Sequence, residues 1–314
     1  MKKIMIVGNT GLDILYRVPR LPGSHEKLNT DDMTVSGGGS PANTAHWLAR
    51  LGHEVHFATV VGTDPLSRFA LDDLANAGVD VSAAIRDPEG GLSVASIFST
   101  GADKRMICGR QPAPRKLWQD LVDGIDFSPF EHVHISPAMF PLLFARGRRK
   151  DLSGLTVSTD LNGSYTPELL AGLDLCFTNH DELARTTAGI PVGELLTRDF
   201  SGQHYHLVVT CGGQNVTSYR PGEETRVVPE PADIHDRSGG GDAFCAGYLH
   251  EYLEKTSDAV AIESGLAMAR AAFSGVGCRP ETPLVRRTLS RLSTAMPQDW
   301  NSEIRTPMDH PKRH

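Results

Sequence analysis

Asp236-Arg237-Ser238-Gly239-Gly240-Gly241-Asp242 runs straight into the apolar stretch Ala243–Leu249, and chemistry is concentrated there. Glycines let backbone N–H groups converge on an anion. A helix N-terminus adds partial positive charge at the same place. A carboxylate at that mouth repels an anion, so Asp242 makes chemical sense as the group that takes a proton from an attacking hydroxyl. Together these are the parts of phosphoryl transfer from a nucleotide to an alcohol. The same residues also fit a plain glycine turn that caps a helix with an acidic first turn, and the motif alone does not separate the two.

A second glycine cluster, Ser36-Gly37-Gly38-Gly39-Ser40-Pro41-Ala42-Asn43-Thr44-Ala45, lies about two hundred residues earlier. Pro41 falls in the first helical turn, where its missing N–H costs nothing. Asn43 would point from that turn toward whatever approaches the glycines. A polar ligand lying on exposed backbone is one reading, and a flexible connection is the other. Two such clusters in one chain favour the first.

The ordered motifs resemble those of the ribokinase-like (PfkB) carbohydrate kinases along nearly the whole chain. The N-terminal signature is Gly38 to Ala45 followed by Leu48-Ala49-Arg50-Leu51-Gly52, and the C-terminal one is Asp236 to Asp242. Between them stand Thr178-Asn179-His180-Asp181-Glu182 and Val209-Thr210-Cys211-Gly212-Gly213. The resemblance implies ATP-dependent phosphorylation of a sugar hydroxyl. It makes Asp242 the general base and Gly239, Gly240 and Gly241 the anion hole. Asp13, Gly38, Gly39, Asn43 and Asp160 become the sugar site. Asn179, Thr210, Gly212, Gly241, Ala269 and Ala272 become the ATP site, although Met268 stands where relatives often carry a polar residue. Glu182 would organise Mg²⁺ through water, which suits an ion that keeps several waters.

Relatives often hold a monovalent cation such as K⁺ in the C-terminal loop; here Arg237 places a fixed positive charge beside it. The Gly-Gly-Ser-Pro-Ala-Asn wording and Asp160-Leu161-Asn162 resemble fructokinase and ketodeoxygluconate-kinase relatives. Ser164 stands where these often have arginine, so fructose-, ribose- and 2-keto-3-deoxygluconate-like acceptors all remain open. Two rival functions stand beside the sugar kinase: a nucleoside kinase of the same family, and a catalytically silent sugar-binding protein on this fold. No Gly-x4-Gly-Lys-Ser/Thr run occurs, so a P-loop kinase is not supported. Val7-Gly8-Asn9-Thr10-Gly11 matches a dinucleotide fingerprint poorly.

Elements that must hold these residues are legible as alternating apolar runs. Strands are expected at Ile4–Val7, Val55–Val61, His132–Ile135, Leu155–Leu161, Leu173–Thr178 and Leu207–Thr210. Helices are expected at Pro41–Leu51, Asp64–Ala77, Ala243–Glu254 and Ala259–Ser274. Such alternation gives an α/β fold: a doubly wound, mostly parallel sheet flanked by helices. Two segments break it. Residues 14–35 and 91–110 read as β runs forming a small antiparallel sheet, a lid beside the cleft. The α/β body then comprises residues 1–13, 36–90 and 111–314. Arg105 and Arg110 fall on the lid hairpin, as recognition groups for an acidic sugar or as plain solvent-facing charges. The resemblance also implies a homodimer paired through the lid.

With 314 residues and 39% hydrophobic content, the chain can bury a large core. The net charge of −7 argues against nucleic acid or an anionic membrane as partner. The five cysteines are odd in number and widely spaced, which points to free thiols in a reducing compartment. Cys211 and Cys245 read as packing residues. Polar Asn9 and Thr10 interrupt the first apolar run before a signal segment or membrane span forms, so the protein reads as cytoplasmic. His132, His134, His204 and His206 lack further ligands at metal spacing and read as surface or sheet-edge residues. The polar residues from Ala295 onward read as a surface strap or frayed tail.

Overall fold

The computed structural model describes residues 1–100, 104–110, 113–145, 147–170, 173–200 and 204–293. In chain order the strands are β1 (Lys3–Val7), β2 (Gly11–Arg17), β3 (Met33–Gly38), β4 (Glu54–Ala58), β5 (Val60–Val61), β6 (Ile85–Arg86), β7 (Ser93–Ser99), β8 (Lys104–Arg110), β9 (His132–Ile135), β10 (Thr156–Asp160), β11 (Leu175–Asn179), β12 (Leu207–Cys211), β13 (Asn215–Arg220) and β14 (Glu223–Val227).

The main sheet has the order β14-β13-β12-β11-β10-β9-β1-β4. From β12 to β4 every pair is parallel, and β13 and β14 close the far edge as antiparallel strands. The body strands are buried on both faces, so helices must cover both. Ile4, Ile6, Phe57, Phe177 and Val208 pack against Ser40–Arg50, Gly240–Leu253 and Asp258–Phe273. Met5, Val7, Val133, Val157 and Val209 pack against Arg115–Gly124, Phe140–Ala145 and Val192–Phe200. This is the doubly wound architecture the alternation requires. The chain leaves β1 toward β4 on one side and resumes at β9 on the other. Strand order therefore reverses beside β1, where an open α/β sheet leaves a crevice at its strand ends.

Several expectations change. Val55–Val61 breaks into β4 and β5, with β5 pairing β6 in a separate two-stranded sheet. The lid sheet, β3-β2-β7-β8, is not wholly antiparallel, because its central pair β2–β7 is parallel. No hairpin joins these two strands. The helices Ser40–Arg50 and Pro65–Asn76 and strand β4 intervene, and a crossover of that length permits parallel pairing. β2 begins at Gly11, so Asp13 belongs to the lid sheet. His132 and His134 are only 0% and 1% exposed, because β9 lies between β1 and β10 inside the sheet. Both rings bond the Ser158 hydroxyl, at 2.9 and 2.8 Å. His206 is likewise buried, whereas His204 is exposed.

Arg105 and Arg110 stand opposite Phe98 and Ser93 on β8; their side chains, the hairpin turn at 101–103 and the tail from Ala295 lie outside the described residues. Among the described residues no helix is long and apolar enough to cross a membrane.

Candidate active site

Two helix starts converge at the strand ends. Gly39 caps the helix Ser40–Arg50 at φ 89°, a conformation that favours glycine. A Cβ there would lie 2.8 Å from the Asn9 carbonyl oxygen. Ser40 and Asn43 are three residues apart and share one face of that helix. Gly239 caps the helix Gly240–Leu253 at φ 70°. A Cβ on Gly240 would meet the Phe273 ring at 2.0 Å, whereas one on Gly241 would meet nothing within 4 Å. Gly240 thus lets the helix start sink against its neighbour, and Gly241 leaves backbone open to the cleft. First-turn N–H groups of a helix have no intrahelical partner.

Asp242 joins the two starts. Ser40 Oγ donates to its Oδ1 and Asn43 Nδ2 to its Oδ2, each at 2.6 Å. Asp242 as a residue is half-buried. Surrounding protein raises its carboxyl to about 6, against the two hydrogen bonds and the Arg279 charge, which favour ionisation. Asp160, ending β10, is raised to about 7 by enclosure and by the negative charges of Asp242 and Glu182. The Asn162 N–H at 3.2 Å and Ser40 Oγ at 3.5 Å only partly offset this. Asp13 approaches from the lid; it accepts a hydrogen bond from Cys278 Sγ at 3.2 Å and lies against Gly38, whose added Cβ would be 3.0 Å from Oδ1. Asp13, Gly38, Gly39, Asn43, Asp160 and Asp242 are therefore one constellation.

On the other side of the glycine-led helix opens a cleft of about 390 Å³. Thr210, Gly212, Gly241 and Ala269 line it, with apolar walls from Val216 and Phe273. Arg237 stands exposed at its rim. Ala272 does not line the cleft: it is wholly buried between helices, as is Met268. Asn179 ends β11, and its Oδ1 accepts the Glu182 N–H at 2.9 Å, capping the helix His180–Thr186. Glu182 is half-buried there, near enough to raise Asp160. Among the described residues no group of three or more His, Cys, Asp or Glu side chains could hold a metal ion alone.

Sequence reasoning missed Ser40 as a donor to Asp242, and missed Arg279 altogether. Arg279 is 9% exposed and donates to Asn43 Oδ1 at 2.9 Å, to the Gly38 carbonyl at 3.4 Å and to Asp73 Oδ2. Ser40 was visible within the glycine signature. Arg279 follows no pattern that marks it.

A doubly wound sheet, a small separate sheet beside its strand ends, a glycine-led helix start and an enclosed carboxylate are the parts of an α/β kinase that has no P-loop. The profile described as pfkB family carbohydrate kinase matches residues 1–284, and the chain belongs to that family. It is accordingly a carbohydrate kinase. The ATP-dependent ribose-1-phosphate kinase of Halopiger xanaduensis is 28% identical over 259 residues, covering 81% of this chain and 86% of that protein. The Methanocaldococcus jannaschii nucleoside kinase structure aligns at TM-score 0.73 and 22% identity, covering 93% of this chain and 98% of that one. Arabidopsis thaliana ribokinase complexed with ribose and ATP aligns at TM-score 0.74 and 19% identity, over 94% and 99% of the two chains.

Proposed function

We propose that this chain transfers the terminal phosphoryl group of ATP to a hydroxyl of a neutral sugar, with Asp242 as the base. One observation carries the reading. Neutral donors hold the Asp242 carboxylate at the opening of a glycine-led helix, between the lid-side carboxylates and the cleft. A carboxyl raised to about 6 is mostly ionised at neutral pH and basic enough to accept a proton as the oxygen attacks. The helix start at Gly239, Gly240 and Gly241 stabilises charge on the group in transit.

Thr210, Gly212, Gly241 and Ala269 would hold the nucleotide, whose base suits the apolar walls. Glu182, on the helix that Asn179 caps, offers hard oxygens to Mg²⁺ through water. A site with so few protein ligands fits an ion that relies on phosphates and waters. Bound Mg²⁺ would screen the phosphate charge.

Asp13 and Asp160 grip acceptor hydroxyls. The Asn43 amide is shared between Asp242 and Arg279, so its part in sugar binding is indirect. Three converging carboxylates favour a hydroxyl-rich neutral acceptor over an anionic one. A nucleoside is the second reading, favoured by the likeness to a nucleoside kinase. Against it, the stacked pair Tyr16–Phe98 lies three register positions from Asp13–Ala95, an odd number, hence on the opposite face of the lid.

Asp236 turns Oδ1 to the Ser238 N–H and Oδ2 to the Gly277 N–H, each at 3.0 Å, and Arg237 supplies fixed charge at the rim. We therefore expect no dependence on K⁺. Met33 and Val35, 54% and 42% exposed, share the outer lid face with Tyr16 and Phe98, which supports two-fold pairing of lids. Sedimentation equilibrium should then give twice the chain mass. Free thiols at Cys176, Cys211, Cys245 and Cys278 support a reducing, cytoplasmic setting.

An ADP-release screen over ketoses, aldoses, sugar acids and nucleosides, in K⁺ and in Na⁺, tests these assignments. Neutral sugars should turn over fastest, equally in both salts. Sugar binding without ADP release across the panel would make this a silent sugar-binding protein.

A further inference from the structure

We propose that Arg279 is a positioning residue for the reaction: it fixes the Asn43 amide so that its NH₂ group faces Asp242. The inference rests on Asp242 being the base. Geometry carries it. An Asn amide presents an acceptor on one side and donors on the other. The Arg279 Nε–H takes the acceptor side, at 2.9 Å. The donor side is thereby turned to Asp242 Oδ2, at 2.6 Å. Reversed, the amide would set its oxygen against the carboxylate and its N–H groups against a guanidinium.

Arg279 is itself locked. Asp73, on the helix Pro65–Asn76, pairs with Nη1, and the Gly38 carbonyl accepts from Nη2 at 3.4 Å. The space around it is closed, since a Cβ on Gly37 would lie 2.1 Å from Nη1. The relay Asp73–Arg279–Asn43–Asp242 thus ties four separate segments, and none of its first three members needs to touch the reacting atoms.

Charge enters second. The Asp242 carboxylate is faced by Asp13 from β2, Asp160 from β10, Ser40 and Asn43 from the helix Ser40–Arg50, Cys245 from its own helix, and Cys278 and Arg279 from the segment between Phe273 and Pro283. Arg279 is the cation in that set. The other charged members are carboxylates, which push Asp242 toward its protonated, unreactive form.

The test is a double-mutant cycle on turnover, with acid limbs of kcat/KM. Arg279→Lys keeps the charge but cannot hold the fork. It should lower kcat roughly tenfold at unchanged KM for ATP, while the acid limb stays in place. In an Asn43→Ala background the same change should cost less than about twofold, because its target is gone. Arg279→Gln removes the charge and should move the acid limb up by about one pH unit.

A purely structural arginine would lower the melting temperature in all backgrounds, with kcat per folded molecule and the limb unmoved; that outcome overturns the proposal. Equal loss from Arg279→Lys with and without Asn43 also overturns it. If Arg279→Gln does not fold, the lysine cycle still decides. Should Asp242→Asn keep full turnover, the assignment of the base fails instead, and the two failures are told apart by that control.

Discussion

Asp242 and Asp258 are both enclosed aspartates in the first turn of a long helix, Gly240–Leu253 and Asp258–Phe273. Their environments differ in one respect. Asp242 receives neutral donors, Ser40 and Asn43, and the Arg279 and Asp13 charges act on it from a distance in opposite directions. Asp258 receives a two-pronged arginine: Arg220 Nε to Oδ2 and Nη2 to Oδ1, each at 2.8 Å. Ser218 Oγ adds a bond at 2.7 Å, and His206 lies 3.5 Å away. Enclosure pushes both carboxyls up. At Asp258 the Arg220 fork, His206 and Ser218 overcome it and hold the group well below the usual carboxylate range. At Asp242 nothing does, and the value stays near 6. One end of the sheet neutralises its charge for the sake of the fold, and the other leaves a carboxylate able to take up a proton near neutral pH.

The largest effect expected on that contrast comes from Asp242→Asn. Turnover should fall on the order of a thousandfold, with ATP and sugar binding retained by calorimetry. Stability should move the other way. A carboxyl whose folded pKa is raised binds its proton more tightly in the folded state, so its ionisation above about pH 4 opposes folding. The amide escapes that, and Ser40 can turn its hydroxyl to accept from it. We expect a gain of about 1–2 kcal/mol at neutral pH, read from urea midpoints. Near-normal turnover would remove Asp242 from the chemistry.

Asp258→Asn should do the reverse: a loss of about 3 kcal/mol from leaving Arg220 unpaired, with turnover per folded molecule unchanged. Loss of activity beyond the unfolded fraction would erase the distinction between the two ends.

A smaller, graded effect should appear with pH. The acid limb of kcat/KM should lie between about pH 6 and 7, where Asp242 and Asp160 take up protons. Asp258 behaves oppositely, its contribution present above its unfolded pKa near 4 and lost only below that. Brief assays are needed, because His53, His132 and His134 are held neutral, at about 3, 3 and 4. Unfolded histidines gain protons below about 6.5, so global stability also declines as pH falls through that range. A limb below pH 5 would mean that enclosure does not tune Asp242.

The body of the fold was legible because its signals are local. β9 falls at His132–Ile135 as read, and the helix after the first glycine cluster runs Ser40–Arg50. The glycines and Asp242 were legible for the same reason: short spacing encodes a helix start. What escaped depends on distant partners. Nothing local in Gly11–Arg17 says that it pairs in parallel with Ser93–Ser99. His132 and His134 resembled edge residues because only the sheet order buries them. Ala272 fell one turn beyond Ala269 on the helix and faces the core. Asn179 acts on the backbone of its own helix, which fits a capping signature as well as a ligand site. Arg279 was invisible because its partners Asn43 and Asp73 lie more than two hundred positions away.

The parallel pair in the lid also orders events in time. β2 has β3 on one edge soon after both are made, but its other edge waits for β7, roughly 80 residues downstream. At ribosomal speeds that wait is about 4–16 s. During it Leu15, later covered by Ala95 and Ile97, stays open beside an unpaired strand edge. The lid therefore closes its own sheet only after Ser40–Arg50, β4 and Pro65–Asn76 have been made. A nascent chain halted before Ser93 would carry the exposed edge most prone to pair with a neighbour.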